Sequence, residues 1–394
     1  MTTSRRPSFR LTGATVLREG VLQDRTVAVA DGRIARGPFP EIDLSGYWVL
    51  PGIIDLHGDA FERHIAPRPS APFPVEMGLR GADREAAAHG VTTAWLAQSW
   101  SWEGGMRGAD FAEEVAAALV RYRPRALIDL RLQIRFETHE IDSAERLLAA
   151  VRRFGIDYVV FNNHLAEAEA AWEERPHEVE LWAKRSGRTG AALMEVVRAA
   201  RAREREVPRV LCRLAEAFDA LDVTYGSHDD PDGETREFFS ALGARICEFP
   251  TRMPAAAVAR ALGEPVLMGA PNVVRGGSQA GNIAAKTLIQ QGKCDGLVSD
   301  YHYPALAEAA FALVDQGVMD LPRAWGLISA GPARIMRMTD RGEISPGKLA
   351  DLVVVNKATR AVEATVVRGR VAWLAGEAAE RFMGMPRAMS MAAE

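Results

Sequence analysis

Short apolar runs alternate with longer amphipathic stretches through the middle of the chain. Eight runs of strand length recur there, at 51–57, 91–98, 130–137, 157–163, 221–227, 244–250, 265–271 and 295–300. Between them lie helical patterns such as Ala109-Asp-Phe-Ala-Glu-Glu-Val-Ala-Ala-Ala-Leu-Val and Ser143-Ala-Glu-Arg-Leu-Leu-Ala-Ala-Val-Arg-Arg. Regular alternation of strand and helix predicts a parallel sheet, and eight such units predict an α/β fold closed into a (β/α)8 TIM-like barrel. A doubly wound open sheet is the alternative, but no Gly-x-Gly-x-x-Gly follows the first run. The interval from Leu165 to Leu221 is too long for one crossover. Its charged, helical character predicts an inserted excursion, about 165–208, above the barrel mouth.

The two ends of the chain read differently. Phe9-Arg-Leu-Thr-Gly-Ala-Thr-Val-Leu and Arg25-Thr-Val-Ala-Val-Ala, followed by Asp31-Gly32 and Arg33-Ile-Ala, are β-branched segments around a hairpin turn. The same texture returns in Asp351-Leu-Val-Val-Val and Ala364-Thr-Val-Val-Arg-Gly-Arg-Val-Ala-Trp. One small discontinuous β-sandwich domain is therefore expected from residues 1–50 and 340–380, with the barrel, 51–339, inserted into it. Residues 376–394, rich in Ala, Met and Glu, are expected to form a helix or frayed tail, with 381–394 as the tail.

Composition narrows the function classes. Hydrophobic residues make up 48% of 394, enough for large cores, yet no run approaches the length of a membrane span. The opening Met1-Thr-Thr-Ser-Arg-Arg is followed by no apolar h-region, so no signal peptide is expected. Cys212, Cys247 and Cys294 are scattered, without metal-knuckle spacing, as suits a reduced cytoplasm. The formal charge is -4, with both signs interspersed. The densest cationic stretch, Arg198 to Arg209, is interleaved with Glu204 and Glu206 and reads as a solvated helix face, which argues against nucleic acid as a partner.

Candidate chemistry concentrates where the predicted strands end. The first closes in His57-Gly-Asp59, an i, i+2 pair that projects from one face of an extended strand. Glu137, His164, His228 and Asp300 close four others. A barrel active site lies at the C-terminal ends of its strands. Singly, each residue is as readily a loop histidine or a helix cap, but together they form a full ligand set for two divalent ions. A second constellation follows the seventh run: Met268-Gly-Ala-Pro-Asn272-Val-Val-Arg275-Gly276-Gly277-Ser278-Gln-Ala-Gly-Asn282. Free glycine N–H groups, the Arg275 fork and the start of the next helix predict a phosphate cradle, the alternative being a glycine-rich turn without chemistry. Arg63, His64 and Arg68 add basic groups beside the same mouth.

These residues, with Trp48-Val-Leu-Pro-Gly-Ile-Ile-Asp-Leu-His-Gly-Asp, Ala66-Pro-Arg-Pro, Ser227-His-Asp-Asp, Glu248-Phe-Pro-Thr and Ser299-Asp-Tyr-His-Tyr-Pro, resemble the amidohydrolase superfamily. More narrowly, the chain resembles the PhnM family of phosphonate metabolism, the α-D-ribose 1-methylphosphonate 5-triphosphate diphosphatases. The likeness runs nearly end to end, and Leu-Met-Gly-Ala-Pro-Asn-Val-Val-Arg-Gly-Gly-Ser is its most specific segment. It implies a metal-dependent hydrolase in which His57, Asp59, Glu137 and Asp300 hold one ion and Glu137, His164 and His228 the other. The ions expected are Zn, Mn or Mg, the oxygen ligand Asp59 widening tolerance toward Mn and Mg. Asp300 is expected to be the catalytic proton acceptor. A metal-bound hydroxide would attack the phosphorus nearest the sugar, releasing pyrophosphate, with Arg275, Ser278 and the glycine N–H groups holding the phosphates. A cytoplasmic homo-oligomer acting on a small phosphorylated substrate, with no membrane partner, is expected. Asn163-His164-Leu-Ala-Glu-Ala departs from the family pattern after the fourth strand. It leaves open a divergent amidohydrolase acting on another phosphorylated substrate or a cyclic amide. A non-catalytic scaffold on the same fold would be expected to lack ligands, and none is missing here.

Overall fold

The computed structural model describes residues 7–68 and 71–384. Its central feature is one sheet of eight parallel strands in sequential order: Ile53–Gly58, Val91–Trp100, Asp129–Glu137, Tyr158–Asn162, Thr224–His228, Ile246–Glu248, Val266–Gly269 and Gly296–Val298. Each corresponds to one of the eight apolar runs, with ends displaced by up to three residues. A parallel bridge between Gly58 and Asp300 joins the first strand to the end of the eighth and closes the barrel.

The burial pattern explains why these runs lack alternation. Every residue of the first two strands is buried, because helices cover the outside and side chains fill the inside. Ile54, Leu56, Trp95, Tyr158, Val160, Ile246, Leu267 and Val298 pack the interior. Outside, the strands meet a helical layer through residues such as Leu79, Val115, Leu147 and Leu306.

Strands from both chain ends form two further sheets. A four-stranded sheet contains Phe9–Thr12, Val27–Ala30, Arg33–Ala35 and Glu41–Asp43. In the six-stranded sheet, Tyr47–Pro51 pairs antiparallel with Leu352–Asn356, so amino-terminal and carboxy-terminal strands share one ladder. Phe9, Val16, Val29, Ile42, Val49, Leu352, Val354 and Val366 form one apolar cluster across the two sheets. Asp31 and Gly32 both take positive φ in the expected hairpin, the backbone such a turn demands. Residues 376–383 form a helix whose Phe382 packs edge-on against Phe9, so the expected tail begins as structure. Residues 385–394 lie outside the described residues.

The long interval after the fourth strand folds into helices Leu165–Glu174, Pro176–Arg185 and Gly190–Ala202, and the chain then returns through Val207–Ala220. The three helices have a small core of their own, in which Trp102, from the loop after the second strand, packs with Leu165, Val179 and Leu193. Among the described residues, no helix is long and apolar enough to cross a membrane.

A buried charge cluster ties barrel to sandwich. Arg341 donates to Asp129 (2.8 Å) and Thr93 (2.8 Å), Arg368 donates to Asp129 (2.9 Å), and the Arg368 N–H donates to Asp351 (2.7 Å). Arg341 is 4% exposed. Removing it would leave the buried Asp351 without its ion-pair partner, while Asp129 keeps Arg131 and Arg368, and an uncompensated buried charge costs about 3 kcal/mol. Arg341→Ala should therefore unfold at a clearly lower temperature, and an unchanged midpoint would contradict a bonding role for this cluster.

Candidate metal and active site

Backbone pairing sets the position of the first and last candidate ligands. The Asp300 N–H donates to the His57 carbonyl (2.9 Å), and the Asp59 N–H donates to the Asp300 carbonyl (2.8 Å). Beneath them the buried Asp55 carboxylate accepts from the Ser299 N–H (2.9 Å) and hydroxyl (2.6 Å). Gly58 fits between these groups only because it has no side chain: a Cβ there would lie 2.7 Å from Asp55 Oδ2 and 2.8 Å from Ser299 Oγ. Asp229, Phe249 and Asp300, each at or just past the end of a barrel strand, have φ of 59°, 50° and 56°. Non-glycine residues held there cost on the order of 1–3 kcal/mol each and cluster at functional sites.

The candidate ligands fall into two adjoining groups. Donor atoms of His57, Asp59 and Asp300 lie within 4.8 Å of one another, as do those of His57, His228 and Glu248. Glu137 pairs directly with His164, accepting from both its ring and its N–H. His228 is drawn instead toward His57, with ring centroids 5.2 Å apart, and toward Asp229, 2.9 Å from its Nδ1. Glu137, His164 and His228 thus share the barrel mouth, but among the described residues the three do not converge as one group, His228 converging with His57 and Glu248 instead.

Electrostatics marks the cluster as a place for a cation. Burial, then repulsion from Asp59, pushes the Asp300 carboxyl up to about 6. Burial disfavours charge on His164, but Glu137 overcomes it and lifts the imidazole to about 9. Burial keeps His228 below its ordinary value despite Asp229. Two crowded, mutually repelling carboxylates beside an imidazole offer the hard-oxygen and nitrogen donors a divalent ion takes.

Two functional candidates escaped the reading of strand ends. Glu248, fully buried, closes the sixth strand: it accepts from His57 Nδ1 (2.9 Å), Gln133 (2.8 Å) and the Tyr158 hydroxyl. That bond holds the proton on Nδ1 and turns Nε2 of His57 toward the mouth, the arrangement by which carboxylates orient metal-binding histidines. Burial would raise the Glu248 carboxyl, yet His57 keeps it below the ordinary range. The signal was present, since Glu248 ends an apolar run as the other ligands do. Arg135 lies two residues before Glu137 on the same face of its strand, 3.9 Å from Asp59. Its buried Nε has no partner.

The glycine-rich segment is a helix, then a loop. Ala270–Arg275 follows the seventh strand, Gly276 ends it with φ 82°, and the loop runs on to a second six-residue helix, Ala285–Gln290. Arg275, Gly277 and Ser278 line a cavity of about 280 Å³ together with His57, Asp59, Arg135 and Asp300. Asn272 also reaches this cavity, but its side chain accepts from the Ala285 N–H (2.9 Å) and donates to the Ile283 carbonyl (3.4 Å), so it clamps the loop. That bond also occupies the helix start expected to face an anion. Gly276 does not line the cavity. Neither do the three basic residues after the first strand. Arg63 and His64 both bond Glu85, and Arg68 is exposed.

Comparisons with known proteins give the family. The amidohydrolase family profile matches residues 237–372. Over 329 residues, 80% of this chain and 85% of its counterpart, the sequence is 32% identical to the α-D-ribose 1-methylphosphonate 5-triphosphate diphosphatase of Escherichia coli. The chain belongs to that family of amidohydrolases. Solved structures share its fold at low identity. A zinc-bound adenosine deaminase of Xanthomonas campestris has a TM-score of 0.59 at 14% identity, covering 96% of this chain and 97% of that one. An N-acetylglucosamine-6-phosphate deacetylase of Pasteurella multocida has 0.62 at 12%, covering 92% and 99%. Amidohydrolases generally use divalent metals, and the donor set of this member fits them.

If Glu248 orients a metal-binding histidine in this amidohydrolase, Glu248→Gln should weaken metal affinity about 10–100-fold. Competition with a chromophoric chelator measures it. An unchanged dissociation constant would rule the orienting role out.

Proposed function

We propose that this amidohydrolase cleaves α-D-ribose 1-methylphosphonate 5-triphosphate to the 5-phosphate and pyrophosphate, using two divalent ions (Zn, Mn or Mg). One observation carries the reading: the His57, Asp59 and Asp300 donors and the Arg275–Ser278 loop line the same cavity. A hydrolytic centre adjoining a phosphate-sized, arginine-bearing loop suits a phosphoanhydride better than a neutral amide. The 32% identity to the diphosphatase supports the same choice.

His57, Asp59, Glu137 and Asp300 would hold one ion, and Glu137, His164 and His228 the other. Bound there, divalent ions lower the pKa of coordinated water and neutralise charge on the transferring phosphoryl group. Asp300 accepts the proton lost by the attacking water, whose oxygen bonds to the phosphorus nearest the sugar as the bond to the next phosphate breaks. Pyrophosphate carries away the bonding pair, so positioning matters more than protonating it. Arg275, Ser278 and the Gly277 N–H bind its oxygens. Arg135, cationic beside Asp59, faces the phosphoryl group under attack.

Phosphorus NMR of the substrate with Mn²⁺-loaded protein should show pyrophosphate forming. Asp300→Asn should slow that release about 10²–10⁴-fold, the range for a lost general base. Asp59→Ala should lose bound metal as well as activity. Metal-loaded wild-type protein that releases no pyrophosphate would overturn the proposal.

A further inference from the structure

A second cavity, about 330 Å³, opens beside the candidate site and shares Asp59 and Tyr301 with it. Three parts of the fold build its walls. The short helix Phe61–Ile65 after the first strand supplies Glu62 and Arg63, the loop after the second strand supplies Arg107, and the excursion supplies Trp182 and Arg185. The excursion is fastened there: Arg188 donates to the carbonyls of Trp102 (2.9 Å) and Glu103 (3.1 Å), and Trp102 is buried among the excursion helices.

The cations of this cavity are unequally committed. Arg63 bonds Glu85 and the Tyr301 carbonyl, and Arg107 bonds both oxygens of Glu103 (3.1 and 3.2 Å). Arg185 makes no ion pair or side-chain hydrogen bond among the described residues, and it is exposed at the rim beside the half-buried Trp182. A third and larger cavity, about 950 Å³, flanks the site on the His228 side. It presents one arginine, Arg175, against five carboxylates: Glu167, Glu204, Asp229, Asp230 and Glu234. The Arg185 cavity sets three arginines, Arg63, Arg107 and Arg185, against three carboxylates, Asp59, Glu62 and Glu103, so of the two it is the better matched to an anionic group.

We propose that the Arg185 cavity is the subsite for the part of the substrate that keeps the attacked phosphorus: a sugar ring with a second anionic group at its far end. The inference rests on the diphosphatase reading. The Arg275–Ser278 loop holds the departing pyrophosphate, and the sugar extends across Asp59 and Tyr301 into the second cavity. There the Trp182 ring covers one face of the sugar, Glu62 accepts from its hydroxyls, and Arg185 meets the phosphonate oxygens with a planar fork.

The test is calorimetric titration of the full chain, with Mn²⁺ present, using α-D-ribose 1-methylphosphonate 5-phosphate and ribose 5-phosphate as paired ligands. Wild-type protein should prefer the phosphonate-bearing ligand. Arg185→Ala should shrink that preference about tenfold, the scale of one lost charge-assisted bond, and Arg185→Lys should recover part of it. A preference ratio equal in wild type and Arg185→Ala, or no preference in wild type, would overturn the subsite. Pyrophosphate release is scored separately. Its absence in wild type refutes the diphosphatase reading, while the titration still decides whether a sugar-linked anion binds at Arg185.

Discussion

The seam between the first and eighth barrel strands fixes the geometry on which the rest of the site depends. One backbone unit, Asp300, donates to His57 and accepts from Asp59, so the contact that closes the barrel also sets the spacing of three candidate ligands. Asp55 and Ser299 hold the same seam one layer down. Gly58 lets them approach, which explains why the position between the two ligands carries no side chain here. Barrel closure and metal geometry are thus one constraint. A slip of the first strand by one residue would turn His57 toward the outer layer.

From that seam, roles spread outward by distance. Glu248, Gln133 and Tyr158 form a buried polar layer that aims His57 without facing solvent. Arg135 stands among the ligands as a fixed positive charge. The Gly277–Ser278 loop lies farther out, held by Asn272 to the start of the following helix. Rigid groups lie deepest and adaptable loops lie at the rim, as expected of a barrel that keeps its chemistry while changing its substrates.

Much of this was legible in the sequence, for physical reasons that can be named. Strands buried on both faces leave unbroken apolar runs, and all eight could be read from them. The chain-end strands declared themselves through β-branched residues and the Asp31-Gly32 turn. Ligands at strand ends were visible because a charged residue closing an apolar run is costly unless something pairs with it. Glu248 also ends an apolar run, but its orienting role comes from meeting His57, Gln133 and Tyr158 on other strands, which no local pattern reports. The clamping role of Asn272 was hidden for the converse reason. Its partners, Ile283 and Ala285, lie beyond the loop, and only the folded loop shows its amide already used. The pairing of His228 with Asp229 and His57, apart from Glu137 and His164, likewise depends on side-chain directions that strand position leaves undetermined.

The shared ladder of Tyr47–Pro51 and Leu352–Asn356 has a consequence for how the protein is made. About 300 residues separate the two strands, so at ordinary elongation rates the first waits roughly 15–60 s for its partner to leave the ribosome. During that interval Val49 and Leu50, fully buried in the finished molecule, belong to a strand edge with nothing beside it. His57 begins only a few residues later. The nascent chain therefore carries an uncovered, aggregation-prone edge next to its first ligand for most of its synthesis. Covering of that edge is a late event, set by arrival of the carboxy-terminal strands.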